Sequence, residues 1–190
     1  MSWKTFALIA AAILTTASAH KRPTPKVPVT AAARPEAAAK PAAAQAPIAD
    51  FDARNPLSVI ALLNFGGAKA SLISKDGDTV LVNVTSAAAN FTALFASCDA
   101  QGRACRAVQF DYADDKAGPS FVQLNAFNQT SALCRTYQDK ASKSHVVFST
   151  LLFADDPFEH FRTQIAAWTG CIGEFRVFLK DPTGYLASAP

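Results

Sequence analysis

The sequence predicts an α+β domain in which helices pack on an antiparallel sheet. Three apolar segments each begin with a turn residue followed by proline. Proline suits the first turn of a helix because it lacks the N–H that would be unpaired there. Six shorter segments are rich in alternating apolar residues and follow one another in pairs, which is typical of antiparallel strands. Their order, α-β-β-β-β-α-β-β-α, is typical of this fold class.

The chain begins with a segment typical of an export signal. Lys4 supplies a positive charge, residues 6–14 form an apolar run of nine, and residues 17–19 match a small-residue cleavage site. Nine helical residues span only about half of a ~30 Å hydrocarbon core. We therefore predict a cleaved signal peptide at residues 1–19, a periplasmic or secreted protein, and no stable membrane span. The alternative is that the segment is kept as a short anchor.

A basic segment rich in proline and alanine follows at residues 20–49. It has five Lys or Arg residues, one Glu and no aromatic residue, so it buries too little apolar surface to offset the entropy of ordering. We predict an extended tether that serves as a solvated spacer. The alternative is weak contact of its basic side chains with envelope polymers. The whole chain has a formal net charge of +3, but from residue 50 onward 12 Lys and Arg face 14 Asp and Glu, a net charge of −2. Nucleic-acid binding is therefore not predicted.

The folded domain is predicted at residues 50–181, because about 130 residues can bury a core of their own. Residues 182–190 are predicted to be a C-terminal tail, since Asp181-Pro182 ends the helix before them. The three helices are predicted at residues 56–65, 119–132 and 157–180.

The six strands are predicted as three consecutive pairs. The first pair flanks the turn Asp76-Gly77, a dipeptide typical of tight hairpins. In the second pair, Val108, Phe110 and Tyr112 share one face by the two-residue period of a strand. The predicted strands cover residues 69–74, 79–84, 91–98, 105–112, 133–139 and 145–153.

The last helix has the clearest apolar stripe, with large side chains at steps of three and four residues. We interpret this stripe as the core-facing side of the helix. It comprises Phe158, Phe161, Ile165, Trp168, Ile172, Phe175 and Leu179.

Four cysteines in an exported chain predict disulfide bonds, because the compartment is oxidising. Cys98 ends one predicted strand and Cys105 begins its partner, which can bring their Cβ atoms to bridging distance. Cys134 and Cys171 then pair by elimination. The alternatives are free thiols, or a metal or redox site. The chain lacks a C-x-x-C pair and the usual ligand spacing of zinc sites, so no metal or cofactor is predicted.

The sequence contains no nucleophile or phosphate-binding motif. His145 is predicted at the start of a strand and His160 in the first turn of the last helix, each in a solvent-facing or capping role. Without a convergent nucleophile and base, we do not predict an enzyme.

Asn125 and Asn128 lie on one face of the second helix, because residues three apart are neighbours on a helix surface. Their amides either satisfy backbone groups at the helix–strand junction or bind a ligand or partner chain. In the second case Phe127 and Phe148 are the aromatic residues expected beside them.

Residues 56–180 resemble the YbjN-domain family of bacterial sensory transduction regulators. The features that carry the resemblance are FTALFASC followed by CRAVQFDY, then LNAFNQTSALCRTY and a long aromatic helix. Phe127 stands between the two asparagines where a tryptophan is expected. The resemblance implies a fold similar to type III secretion chaperones and a non-enzymatic regulatory or chaperone-like role, often through dimers. It implies no catalytic residue.

The predicted function is that of a non-catalytic protein-interaction module which uses an exposed face or edge of its sheet, as a homodimer. The strand at residues 145–153 motivates this prediction. It is apolar on both faces, with Val146, Phe148 and Leu152 on one and Val147, Leu151 and Phe153 on the other. Helices can cover one of these faces, and the other needs a partner or an additional layer. The alternative function is a binding module for a small envelope ligand, a wall fragment or a lipid, at the two asparagines and their neighbouring aromatics.

Overall fold

A computed structural model of the chain describes residues 51–189, in which six strands and four helices are present. The predicted signal peptide (1–19) and tether (20–49) lie outside the described residues. The elements are α1 (Pro56–Phe65), β1 (Lys69–Asp76), β2 (Thr79–Thr85), β3 (Asn90–Ala96), β4 (Ala107–Ala117), α2 (Phe121–Thr130), β5 (Arg135–Gln138), β6 (Lys143–Leu151), α3 (Phe158–Lys180) and α4 (Pro182–Ser188).

The α+β class is confirmed, and the element order agrees with the prediction as far as the end of α3. The predicted count of three helices is corrected to four, because α4 occupies residues that were predicted to be a tail. The Asp181-Pro182 pair that ends α3 also begins α4. The Asp181 side chain accepts a hydrogen bond from the Gly184 N–H at 2.9 Å, and proline occupies the first turn.

All strand pairs of the sheet are antiparallel, and the strand order is β1-β2-β3-β4-β6-β5. β1 to β4 follow one another directly, whereas β5 pairs with the outer side of β6 after the crossover through α2. The two edge strands are therefore β1 and β5. Val82, Ala93, Phe110 and Phe148 form one continuous row across the four central strands.

The hydrophobic core lies on one face of this sheet, under the helices. The row from Val82 to Phe148 is buried throughout, and the Phe110 ring lies between two stacked rings, Phe148 at 6.3 Å and Trp168 of α3 at 5.8 Å. Most of the predicted stripe of α3 is buried as expected. Phe178 is fully buried on that helix, whereas the neighbouring Leu179, which was assigned to the stripe, is only partly buried.

Candidate functional site

The opposite face of the sheet is not covered by any described helix, and we call it the open face. Along β2, β3, β4 and β6, alternate residues point to the core and are buried or half-buried, while none of the described side chains between them is buried. This alternation is typical of an antiparallel sheet with one covered face and one accessible face. The open face includes Leu81, Asn83, Thr92, Leu94, Ala96, Ala107, Gln109, Asp111, Arg135, Tyr137, His145, Val147, Ser149 and Leu151.

One part of the open face is apolar. Leu81 lies opposite Leu94, and Ala107 lies between Ala96 and Leu151 in the strand register. These five residues form a contiguous patch across four strands, which we call the apolar stripe. Leu94 is 37% exposed and Leu151 is 60% exposed. Of the residues predicted for the second face of the last strand, Leu151 and Phe153 are exposed and Val147 is half-buried.

The other part of the open face carries a polar cluster of Asp111, Tyr137, Asp139 and His145. Tyr137 and His145 pair across β5 and β6, and their rings stack with centroids 4.5 Å apart. The Tyr137 hydroxyl donates to Asp111 Oδ2 at 2.7 Å, and His145 Nδ1 lies 2.7 Å from Asp111 Oδ1. On its other side, His145 Nε2 is 3.6 Å from Asp139 Oδ2. The side-chain contacts of the cluster thus connect β4, β5 and β6, with Asp139 lying directly after β5.

Burial and hydrogen bonds shift the pKa of two members of this cluster, Tyr137 and Asp139. Partial burial, and then the hydrogen bond to Asp111, raise the pKa of Tyr137 well above its ordinary value, so the hydroxyl remains a donor. The pKa of Asp139 is lowered, first because its carboxylate accepts the Lys143 N–H. Both oxygens of Asp111 are already bonded, so the two rings are held in place. We interpret the cluster as a rigid polar surface beside the apolar stripe.

Sequence reasoning missed this cluster. His145 was assigned a solvent-facing or capping role, yet its side chain is only 14% exposed and contacts two carboxylates. The hairpin register contains a signal that could have found part of it, since Tyr137 and His145 are equally distant from the turn between β5 and β6. Asp111 could not be added, because it comes from a strand whose position beside β6 the sequence does not show. His160 lies in the first turn of α3 as predicted and bonds Asp156 at 2.8 Å.

The predicted binding residues are dispersed. The Phe127 ring is fully buried and the Phe148 ring is 7% exposed, both in the core under the helices. Asn125 is exposed on α2. Asn128 binds the backbone of Thr136 on β5, which is the structural role weighed for it in the sequence. The four side chains therefore do not converge on one ligand surface.

At each edge of the sheet, one asparagine side chain bonds the backbone of one residue of the edge strand. Asn128 Nδ2 donates to the Thr136 carbonyl at 3.0 Å, and its Oδ1 accepts the Thr136 N–H at 2.6 Å. At the other edge, Asn64 Nδ2 donates to the Ala70 carbonyl at 3.2 Å, and its Oδ1 accepts the Ala70 N–H at 2.7 Å. In an antiparallel edge strand, alternate residues direct both backbone groups away from the sheet. Each amide therefore satisfies one such residue.

The four cysteines form the two predicted disulfide bonds, Cys98–Cys105 and Cys134–Cys171. The first closes the hairpin of β3 and β4, and the second joins the segment before β5 to α3. No cysteine in the chain is free. Among residues 51–189, no group of three or more His, Cys, Asp or Glu side chains is arranged to hold a metal ion. No helix in the same range combines the length and apolarity needed to cross a membrane.

No protein-family model, curated protein or solved structure matches this chain.

Proposed function

We propose that this protein is an exported, non-catalytic interaction module that associates with a second copy of itself through the open face of its sheet. The observation that carries the proposal is the apolar stripe. It is contiguous across four strands, lies on a face without a described helix, and contains leucines that are 37% and 60% exposed. Apolar patches on an accessible surface mark protein–protein contact sites. The two disulfide bonds are compatible with an exported protein.

The edges of the sheet support the face as the contact surface. β5 has its outer backbone groups occupied at Thr136 by Asn128, and β1 has its own occupied at Ala70 by Asn64. The remainder of β1 contains a bulge between Leu72 and Ser74, where the register shifts. Bulges and charged residues are devices that prevent edge-to-edge pairing, and Lys69 and Lys75 flank this part of β1. Both edges therefore favour contact through the face.

A second copy is the partner that the apolar stripe fits best. In a twofold-symmetric dimer the same patch faces itself, so an apolar patch needs no charge complementarity in its partner. The resemblance to the YbjN family adds a regulatory or chaperone-like role and a chaperone-like fold to the proposal. The alternative, a small envelope ligand at Asn125 and Asn128, has less support because Phe127 and Phe148 are buried and Asn128 is already bonded.

Sedimentation equilibrium of the disulfide-bonded chain from residue 20 onward tests the proposal. We expect a dimer mass at micromolar concentration, and a monomer mass for L94K because a lysine at the centre of the stripe would be desolvated in the interface. V177K is the matched control, since Val177 is 57% exposed on α3, away from the sheet. This variant should remain a dimer. A wild-type monomer at all concentrations up to about 100 µM, near the weak end of stable association, overturns the proposal.

A further inference from the structure

A groove of about 460 Å³ lies at the end of the sheet where β6 leaves it. Its walls come from the segment before α1, the segment just before β4, and the end of β6 with the residues that follow it. The side chains that determine its chemistry are Arg54, Arg106, Leu151 and Phe153. Its volume falls within the ~300–1,000 Å³ range of small-molecule sites.

The walls of the groove are joined by backbone hydrogen bonds. The Cys105 N–H donates to the Arg54 carbonyl at 3.0 Å, and the Leu152 N–H donates to the Arg106 carbonyl at 2.9 Å. The Cys98–Cys105 disulfide also closes the hairpin that carries Arg106. All three walls are therefore connected to one another, and the groove exists without a ligand.

The apolar side of the groove is unusually exposed. Leu151 is 60% exposed and Phe153 is 57% exposed, while Leu152 between them is buried at 4%. A run of three apolar residues at the end of a strand therefore directs two large side chains to solvent along this groove. An apolar chain laid against them removes this surface from water, which is favourable.

The two arginines differ in how their charge is balanced. Arg54 donates two hydrogen bonds to the Asp52 carboxylate, each of 3.1 Å, and Asp155 also acts on it electrostatically. Arg106 is exposed, and its side chain has no hydrogen bond or ion pair within residues 51–189. Its guanidinium group is thus an unmatched cation beside an apolar wall. Arginine binds a carboxylate through two parallel hydrogen bonds.

We propose that this groove binds a medium-chain fatty acid, with the carboxylate at Arg106 and the acyl chain along Leu151 and Phe153. Charge complementarity selects the anionic head group, and the exposed leucine and phenylalanine select the apolar chain. The site rests on the groove and not on the proposed self-association. Leu151 belongs to both surfaces, so the ligand and a second copy compete for it, and a monomeric L94K should bind the ligand at least as tightly as the wild type.

Isothermal titration calorimetry with laurate below its micellar concentration tests this site. The disulfide-bonded chain from residue 20 onward should bind laurate at least about tenfold more tightly than either of two control ligands. Dodecyltrimethylammonium has the same chain length but a cationic head group, and butyrate has the carboxylate but lacks the long chain. R106Q should weaken laurate binding by about tenfold or more, the expected effect of losing one charge-assisted pair. R162Q is the matched control, because Arg162 is exposed on α3 and 67% accessible, and it should bind as the wild type does.

F153S tests the apolar wall and should also weaken laurate binding by about tenfold, since one large apolar contact is lost. A far-ultraviolet spectrum and a melting curve show whether each variant is folded. If F153S does not fold, R106Q still tests the site, because Arg106 is exposed. Equal affinity for laurate and the cationic amphiphile, or laurate binding that R106Q leaves unchanged, overturns the proposal. L94K should still bind laurate, so a failure of self-association is distinguishable from a failure of this site.

Discussion

The Asn128 side chain makes with Thr136 the two hydrogen bonds that a neighbouring strand would make. Its one amide group bonds both backbone groups that Thr136 directs away from the sheet. The Asn64–Ala70 pair repeats this relationship at the opposite edge. In both cases the asparagine comes from the helix that precedes the edge strand, six or eight residues earlier in the chain. One residue of each edge strand is therefore already bonded by a helix side chain, which supports association through the open face.

Replacing Asn128 by alanine should destabilise the domain. The change removes both hydrogen bonds to Thr136 and leaves that part of β5 without its partner, at an expected cost of about 1–3 kcal/mol in the free energy of unfolding. Urea denaturation of the oxidised protein measures this quantity. N125A is the control on the same helix, where the exposed amide should matter by less than about 0.5 kcal/mol. Equal stability of the two variants contradicts the role assigned to Asn128.

The stability of the domain should fall at alkaline pH through Tyr185 of α4. Burial, and then the hydrogen bond to Glu174, raise the pKa of Tyr185 to about 12, whereas an unfolded tyrosine titrates near ~10. Because the folded-state pKa is the higher one, the stabilisation is complete below about pH 10 and is lost as the pH rises toward 12.

Urea denaturation across pH 9 to about 11.5, a range that spans the unfolded pKa, measures the Tyr185 effect. Y185F should lose less unfolding free energy over this range than the wild type, because it has no hydroxyl to ionise at this position. Tyr137 also has a raised pKa, so both proteins should still lose some unfolding free energy at alkaline pH. Parallel curves for the two proteins would show that the Tyr185 hydroxyl does not stabilise the fold.

The two disulfide bonds should differ in their contribution to stability. Cys98 and Cys105 are 7 residues apart, and Cys134 and Cys171 are 37 apart. In the chain-entropy model, removing the disulfide that closes the shorter loop lowers the free energy of unfolding by about 2.5 kcal/mol. Removing the disulfide that closes the longer loop lowers it by about 4 kcal/mol. The double variants C98A/C105A and C134A/C171A, compared by urea denaturation without reductant, measure the difference. A smaller loss for C134A/C171A would mean that loop entropy does not dominate.

Arg176 should stabilise the segment between β2 and β3. Its Nη1 donates to the Ala88 carbonyl at 2.6 Å, and its guanidinium carbon lies 5.0 Å from the centre of the Tyr112 ring. We expect R176A to lower the free energy of unfolding by about 1–2 kcal/mol. R162A on the same helix breaks only an exposed pair with Glu159 and should cost less than about 0.5 kcal/mol. If the two variants unfold at the same urea concentration, the contacts of Arg176 contribute nothing measurable.

Local patterns were sufficient for most of the fold. The strands were recognisable because their side chains alternate with a period of two, and the helices because proline and polar caps mark where they begin. α4 was missed because Asp181-Pro182 serves as an end for α3 and a beginning for α4 at once. A sequence pattern shows the first role but not the second, since α4 is held by the packing of Tyr185 against Phe127 and Phe178.

The candidate sites were less accessible to sequence reasoning. The strand predicted at residues 145–153 is apolar on both faces, and this property indicated that one face needs a partner or an additional layer, which stays a prediction. The cluster of Asp111, Tyr137 and His145 and the groove at Arg106 depend on side chains from segments far apart in the chain. No local period relates such segments.

By itself, the sequence determined the class of fold, the succession of its elements and the cysteines available for pairing, because these follow from short-range periodicity, turn chemistry and composition. Tertiary structure alone decided that β6 inserts between β4 and β5. That choice brings Asp111 beside His145, buries Phe148 and leaves Leu151 exposed. The physical reason is that strand order follows from burying one continuous apolar face under the helices, and the free energy of that packing is a property of the whole domain.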